Sequence, residues 1–155
     1  MVPRYPAKKK GNKFHAVKIN YEGIPFDSQR EAEYYLMLRT MLRAGEITKI
    51  NFQPKFILQP KFRKCCGRLF TQESDPAFKK GICPVCNKKM PLYHEISYRA
   101  DFEVEYPDGT KEISDIKGMI PREFPRIRKM FEYHYPALHL KVVRWKNKTL
   151  GWVEI

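Results

Sequence analysis

From Tyr98 to Tyr106 the chain alternates, with Tyr98, Ala100, Phe102, Val104 and Tyr106 on one face and Arg99, Asp101, Glu103 and Glu105 on the other. That period of two predicts a half-buried strand. Pro107-Asp108-Gly109-Thr110 predicts a hairpin turn, and Lys111–Lys117 a second strand returning beside the first. Upstream the period changes. Glu31, Tyr34, Tyr35, Leu38 and Leu42 recur at helical spacing, predicting a helix over Ser28–Ala44 with that face turned to a core. Ser28 and Glu31 fit a capping box at its start, and Gly45 fits the residue after its end. Phe14–Phe26 reads as a short hairpin turning at Tyr21-Glu22-Gly23. Ile47–Gln53 and Phe56–Phe62 read as strands interrupted by Pro54 and Pro60. A second helix through Arg122–Tyr135 stops before Pro136, Leu138–Trp145 reads as a strand, and Asn147-Lys148-Thr149 turns into Gly151–Ile155. This order predicts an α/β (α+β) fold, a mixed sheet with helices packed on it.

A length of 155 residues suits one domain with room for a core. It is expected over residues 14–155, after a flexible basic arm at 1–13 and around a polar insertion at 63–94. Hydrophobic residues at 43% and aromatic residues at 14% exclude a wholly disordered chain. No apolar run reaches the roughly 20 residues that span a bilayer, and no signal-peptide core opens the chain. A cytoplasmic protein is expected.

The formal net charge of +13 changes the picture, because an excess this large suits a polyanionic partner. The positive residues cluster: Lys8, Lys9 and Lys10 in the arm, Arg122, Arg126, Arg128 and Lys129 on the second helix, and Lys141, Arg144, Lys146 and Lys148 along the last hairpin. One such run alone is ordinarily a solvated face. No amphipathic anchor accompanies them, so nucleic acid is favoured over a membrane surface.

Folding the predicted hairpin about Asp108 and Gly109 sets Asp101 opposite Asp115 or Ile116. Opposed carboxylates roughly 5 Å apart repel, and a divalent cation between them turns repulsion into binding. Lys117, two residues beyond Asp115, projects from the same face. A single acidic residue on a strand is ordinarily only solubilising. Glu31 adds weight, because a carboxylate on a core-facing helical stripe is costly unless paired or bound to a cation.

All four cysteines fall in one stretch, Cys65, Cys66, Cys83 and Cys86. Cys83-Pro84-Val85-Cys86 has the spacing of a zinc knuckle, and Cys66-Gly67 can supply the other half of a tetrahedral site. Adjacent Cys65 and Cys66 depart from the usual spacer. Either both bind in strained geometry, or one binds and His94 completes the set. Zinc is favoured over disulfides in a cytoplasmic protein. A redox CxxC lacks the βαβ pattern expected around it. The insertion thus reads as a zinc ribbon stapling a segment with few apolar residues.

FDSQREAE at 26–33, INFQPKFIL at 50–58, YRADF at 98–102, SDIKG at 114–118 and a basic helix ending in YHYP at 133–136 together resemble a small phage-associated nuclease family. That family belongs to the PD-(D/E)XK superfamily, beside Holliday-junction-resolving endonucleases and the transposon end-cleaving nuclease subunit. The resemblance covers residues 14–145 outside the cysteine insertion. It implies a restriction-endonuclease-like sheet flanked by helices, holding Mg²⁺ or Mn²⁺ at one end. By position it implies Glu31, Asp101 and Asp115 as metal ligands, the Ile116 carbonyl as another, Lys117 at the attacking water, and Gln53 facing the site. The family's proline two residues before Asp101 is absent, Arg99 and Ala100 standing there.

Two functions follow as expectations. The first is a metal-dependent DNA endonuclease acting on branched DNA such as Holliday junctions, for which a homodimer would supply the two symmetric nicks. The alternative is a non-catalytic nucleic-acid-binding zinc-ribbon protein. Opposed carboxylates separate them, since a binder gains nothing from such a pair.

Overall fold

The computed structural model describes residues 18–71 and 75–155. The predicted arm, with Lys8, Lys9 and Lys10, and the first residues of the predicted first hairpin lie outside these. In chain order the elements are β1 (Ile19–Tyr21), β2 (Ile24–Phe26), α1 (Gln29–Ala44), β3 (Lys49–Phe52), β4 (Lys55–Gln59), β5 (Phe62–Cys65), β6 (Arg68–Thr71), α2 (Pro76–Lys80), β7 (Leu92–Tyr93), β8 (Ile96–Arg99), β9 (Phe102–Glu105), β10 (Lys111–Ile116), α3 (Phe124–His134), β11 (His139–Trp145) and β12 (Trp152–Glu154). The fold is mixed α+β, with three helices and several sheets among the described residues.

The central sheet has five strands in the order β12-β11-β10-β9-β3. Only β10 and β11 run parallel, joined through α3, as a crossover requires. Side chains alternate across this sheet into two cores. Phe102, Val104, Ile116 and Val143 meet Ala32, Tyr34, Tyr35 and Leu38 of α1 on one face. Ile113, Leu140 and Val142 meet Phe124 and Phe131 of α3 on the other. Both faces are therefore covered, which is why β10 reads Ile113-Ser114-Asp115-Ile116 buried throughout. Ser114 points to α1, where it meets the Tyr34 hydroxyl at 3.3 Å, and Asp115 points to the α3 side.

Helix α1 begins as its sequence predicts. Ser28 Oγ accepts the Glu31 N–H at 3.2 Å, and Gly45 closes the helix at φ +77. Leu42 departs from the expected stripe: it is 39% exposed, and Met41 and Ile47 close that end of the core instead.

The expected single strand from Tyr98 to Tyr106 is two strands. The chain bends at Ala100–Asp101, so Tyr98 and Ala100 join the α3 core while Phe102 and Val104 join the α1 core. The partner chain bends with it at Gln53, which sits at φ +46 in left-handed backbone. Hydrogen bonds from the Gln53 N–H to the Asp101 carbonyl (2.9 Å) and from the Ala100 N–H to the Pro54 carbonyl (3.2 Å) hold the two bends together. Beyond them β4 and β8 continue as a separate ribbon whose Phe56, Leu58 and Tyr98 pack on α3.

That ribbon carries the cysteine-containing segment. Strands β6, β5 and β7 form a three-stranded sheet, and α2, capped by Asp75 at its start, packs beneath it. The segment's apolar residues are few but sufficient for a satellite core: Phe70, Phe78, Cys83 and Met90 are all buried. Arg63 staples it from within, donating to the Phe78 carbonyl at 3.0 Å and to the Met90 carbonyl at 2.5 Å. No helix among the described residues is long and apolar enough to cross a membrane.

Candidate active site and metal centre

Asp101, Asp115 and Lys117 meet at one end of the central sheet, where β9 begins and β10 ends, and the start of α1 brings Glu31 there. The register arranges this. Ser114 pairs with Phe102, so Asp115 lies opposite Asp101 one step further along. The Asp101 N–H still donates to the Ser114 carbonyl at 3.1 Å, but past that point the partner chain has turned away. The Ile116 N–H, left without a strand partner, donates to Asp101 Oδ2 at 2.6 Å. Since N–H and C=O of an extended residue point to the same side, the Ile116 carbonyl is directed there too.

Asp115 is fully buried. Its Oδ2 accepts the Tyr98 hydroxyl. Its Oδ1 faces Lys117 Nζ at 2.8 Å, an ion pair in which no hydrogen bond is aligned. Asp101 is less fortunate. Burial first, and then the Asp115 carboxylate beside it, push its carboxyl up to about 8, Glu31 adding to the effect while the Ile116 N–H opposes it. Burial raises Glu31 as well, against the bonds from Ser28 and Asp27 that hold its charged form.

Glu31 does two things. Its Oε1 accepts Ser28 Oγ at 2.8 Å and its Oε2 accepts the Asp27 N–H at 3.1 Å, a variant of the predicted capping box. Its side chain also lines a cavity of about 170 Å³ together with Phe26, Phe52, Gln53, Asp101 and Phe102. Gln53 thus faces the cavity, brought there by its left-handed backbone.

The three carboxylates, with Lys117 paired to Asp115, form an oxygen donor set suited to a hard cation such as Mg²⁺ or Mn²⁺. As they stand, their oxygens are not gathered about one point. Among the described residues the group of three or more candidate ligands lying within 4.8 Å of one another is the four cysteines. Closing the carboxylates on a cation asks Glu31 to rotate from its capping bonds.

Two residues of this end escape a reading of the sequence. Tyr98 looked like core filling, yet its hydroxyl holds Asp115. Arg144 looked like part of a basic hairpin. One step beyond the Ile116–Val143 pair, it stands beside Lys117 on the Asp115 face, with its Nε buried and unpartnered. The signal was the alternation Leu140, Val142, Arg144, whose first two members fill the α3 core. Of the expected phosphate-binding residues, Arg122, Arg126 and Lys129 are exposed, whereas Arg128 is half-buried and ion-paired to Glu132 at 3.0 Å. The Phe124 ring lies 5.9 Å from Lys117 Nζ, so α3 presents its first turn to the same end.

The cysteines are assembled. Cys65, Cys66, Cys83 and Cys86 are free thiols whose sulfurs all lie within 4.8 Å of one another. Cys65 Sγ is 3.8 Å from Cys66 Sγ and 3.5 Å from Cys86 Sγ. Tetrahedral zinc with bonds of about 2.3 Å sets its sulfurs about 3.8 Å apart, so the set fits a closed structural zinc site. Both members of the adjacent pair belong to it, and His94 does not. The strain expected of that pair falls on Cys66, at φ +49, with Gly67 following at φ +71. Backbone N–H groups of Cys86 and Val85 lower the Cys83 thiol to about 7, as in a knuckle built to hold thiolate.

No curated protein and no solved structure matches the chain. A family match runs over residues 11–152, taking in both the carboxylate end and the cysteine segment. The chain belongs to the family described as protein of unknown function (DUF1064).

Proposed function

We propose that this protein is a metal-dependent endodeoxyribonuclease of the PD-(D/E)XK type that hydrolyses phosphodiester bonds in branched DNA. In this reading the central sheet between α1 and α3 is a restriction-endonuclease-like core. The observation that carries it is the opposed pair of half-buried Asp101 and fully buried Asp115, with Lys117 ion-paired to Asp115. A fold gains nothing from two such carboxylates in the absence of a cation, and burial, with the Asp115 charge adding to it, is what lifts Asp101.

Glu31, Asp101, Asp115 and the Ile116 carbonyl would hold Mg²⁺ or Mn²⁺. When bound, the cation supplies charge neutralisation at the phosphate and a lowered pKa for the attacking water. The residues do the rest. Lys117, fixed by Asp115, orients the attacking water and adds positive charge where the phosphate's negative charge builds. Arg144, beside it and with its Nε unpartnered among the described residues, donates to a non-bridging phosphate oxygen. Tyr98 keeps Asp115 aimed through its hydroxyl, its own proton secured by burial and the neighbouring carboxylate. Arg122, Arg126 and Lys129 bind flanking phosphates without reading sequence. For a four-way junction, a homodimer would supply one site per nicked strand.

The test is incubation with labelled four-way junction, duplex and single-stranded DNA, with and without Mg²⁺. Mg²⁺-dependent nicking, strongest on the junction, is expected. Binding to all three with no cleavage in either Mg²⁺ or Mn²⁺ would leave the non-catalytic zinc-ribbon binder.

A further inference from the structure

The outer face of the cysteine module is unused by the site above. In the β6-β5-β7 sheet, Lys64 pairs with Leu69 and Phe62 pairs with Tyr93. Directly paired residues share a face, and so do residues two apart on one strand. Phe62, Lys64, Leu69 and Tyr93 therefore stand on one side, and Arg63, Cys65 and Phe70 on the other, against α2 and the thiols. The inner side is packed. The outer side carries Leu69 at 61% exposure and Tyr93 at 47%. The Phe62 and Tyr93 rings lie face to face, 4.7 Å apart and 8° from parallel.

We propose that this face is a stacking platform for unpaired nucleobases, a second nucleic-acid contact that recognises the frayed or single-stranded part of a branched DNA. The inference rests on the reading of the protein as DNA-directed. Stacked, half-exposed aromatic rings beside a cation on a sheet face form a surface that accepts the π-face of any base while the cation meets its phosphate. Lys64 is that cation. The module around it exposes Arg68, Lys79, Lys80, Lys88 and Lys89, none ion-paired to a carboxylate among the described residues. That charge exceeds the two negative charges of a zinc–tetrathiolate centre and favours a polyanion over an apolar protein partner.

The ribbon fixes the reach. Tyr93 precedes Asp101 by eight residues through β8, an extended path of at most about 29 Å. Duplex DNA rises about 3.4 Å per base pair, so the platform holds unpaired bases up to about eight base pairs from the strand being cut.

The experiment measures binding by fluorescence anisotropy in the zinc-loaded protein without Mg²⁺, so that its result is independent of cleavage. The probes are a forked duplex with oligothymidine arms and a blunt duplex of equal length. Wild type should bind the fork more tightly. Tyr93→Ala should weaken fork binding about 5- to 150-fold, the range for loss of one stacked base. It should leave blunt-duplex binding within about twofold and zinc at one per chain, and Tyr93→Phe should restore the fork preference. Lys64→Ala should lower the salt slope for the fork by about 0.7. Equal fork and duplex affinity in wild type would overturn the proposal. So would a Tyr93→Ala protein, fully zinc-loaded, that binds the fork as wild type does or loses both probes equally.

Discussion

The four thiols and the three carboxylates are both clusters of like-charging groups, yet the fold treats them in opposite ways. The thiols are drawn within 4.8 Å of one another, Cys83 is bonded to backbone N–H groups, and the set sits on a core of its own. The carboxylates are held at the end of a sheet, Glu31 and Asp101 lining a cavity and Asp115 fully buried, with Glu31 still tied to its helix cap. A closed sulfur set binds a metal that stays. An open oxygen set binds one that can exchange and leave room for substrate. Under the proposed function, the difference teaches where each metal's free energy would go: into folding a small module at one site, and into chemistry at the other.

The largest expected effect breaks the first half of this comparison. Stripping zinc, or Cys83→Ser, should unfold residues 62–93, because structural zinc in small modules contributes on the order of 10 kcal/mol. Hydrogen exchange should rise sharply across that segment and stay slow in β9, β10 and β11. Uniform loss of protection would show that the module and sheet are one cooperative unit.

The second half breaks at the carboxylates. Asp115→Asn should reduce Mg²⁺-dependent cleavage by about a thousandfold, equivalent to about 4 kcal/mol of transition-state stabilisation. DNA binding measured without Mg²⁺ should change less than threefold. Next come the cations beside them. Lys117→Ala and Arg144→Ala should each lower turnover by about a hundredfold. A titration with Mg²⁺ should leave the half-saturating concentration nearly unchanged, and full recovery at high Mg²⁺ would mean that these residues only position the metal.

A smaller effect is thermodynamic. The folded Asp101 carboxyl keeps its proton up to about pH 8, whereas its ordinary value is 3.8. Between those values the unfolded state binds fewer protons, so the metal-free protein loses stability as pH rises through the window. Asp101→Asn should remove that loss, raising Tm at pH 8.5 by about 4–8 °C for roughly 2 kcal/mol, with the gap closing toward pH 4. Added Mg²⁺ should raise the wild-type Tm at pH 8.5 and not the variant's. A wild-type Tm flat from pH 5 to 8.5 without metal would remove the case for a raised Asp101 carboxyl.

Much of this was legible in the chain. The helix and its cap followed from Ser28, Glu31 and Gly45, and the placement of Asp101 opposite Asp115 or Ile116 followed from the Asp108–Gly109 turn, because both depend on neighbours in sequence; the register settles on Asp115. What escaped depends on tertiary context. Tyr98, Ala100, Phe102 and Val104 share one face of an unbroken alternation, and only a bend tied to left-handed Gln53 sends them to different cores. Leu42 fits the stripe of α1 but Met41 has the room. Arg144 reaches the site by pairing a parallel strand across α3, a long-range register that no local pattern encodes. The cysteine ambiguity closed in favour of Cys65 and Cys66 because one residue, Cys66, takes the left-handed strain.

The most direct measurement compares wild type and Asp101→Asn, each verified to carry one zinc per chain, on a labelled four-way junction across a Mg²⁺ titration. The account predicts cleavage by wild type that appears only with Mg²⁺, and none by the variant at equal junction binding. Cleavage by Asp101→Asn at the wild-type rate, or a wild type that binds the junction and never cuts it at any Mg²⁺ concentration, would contradict it.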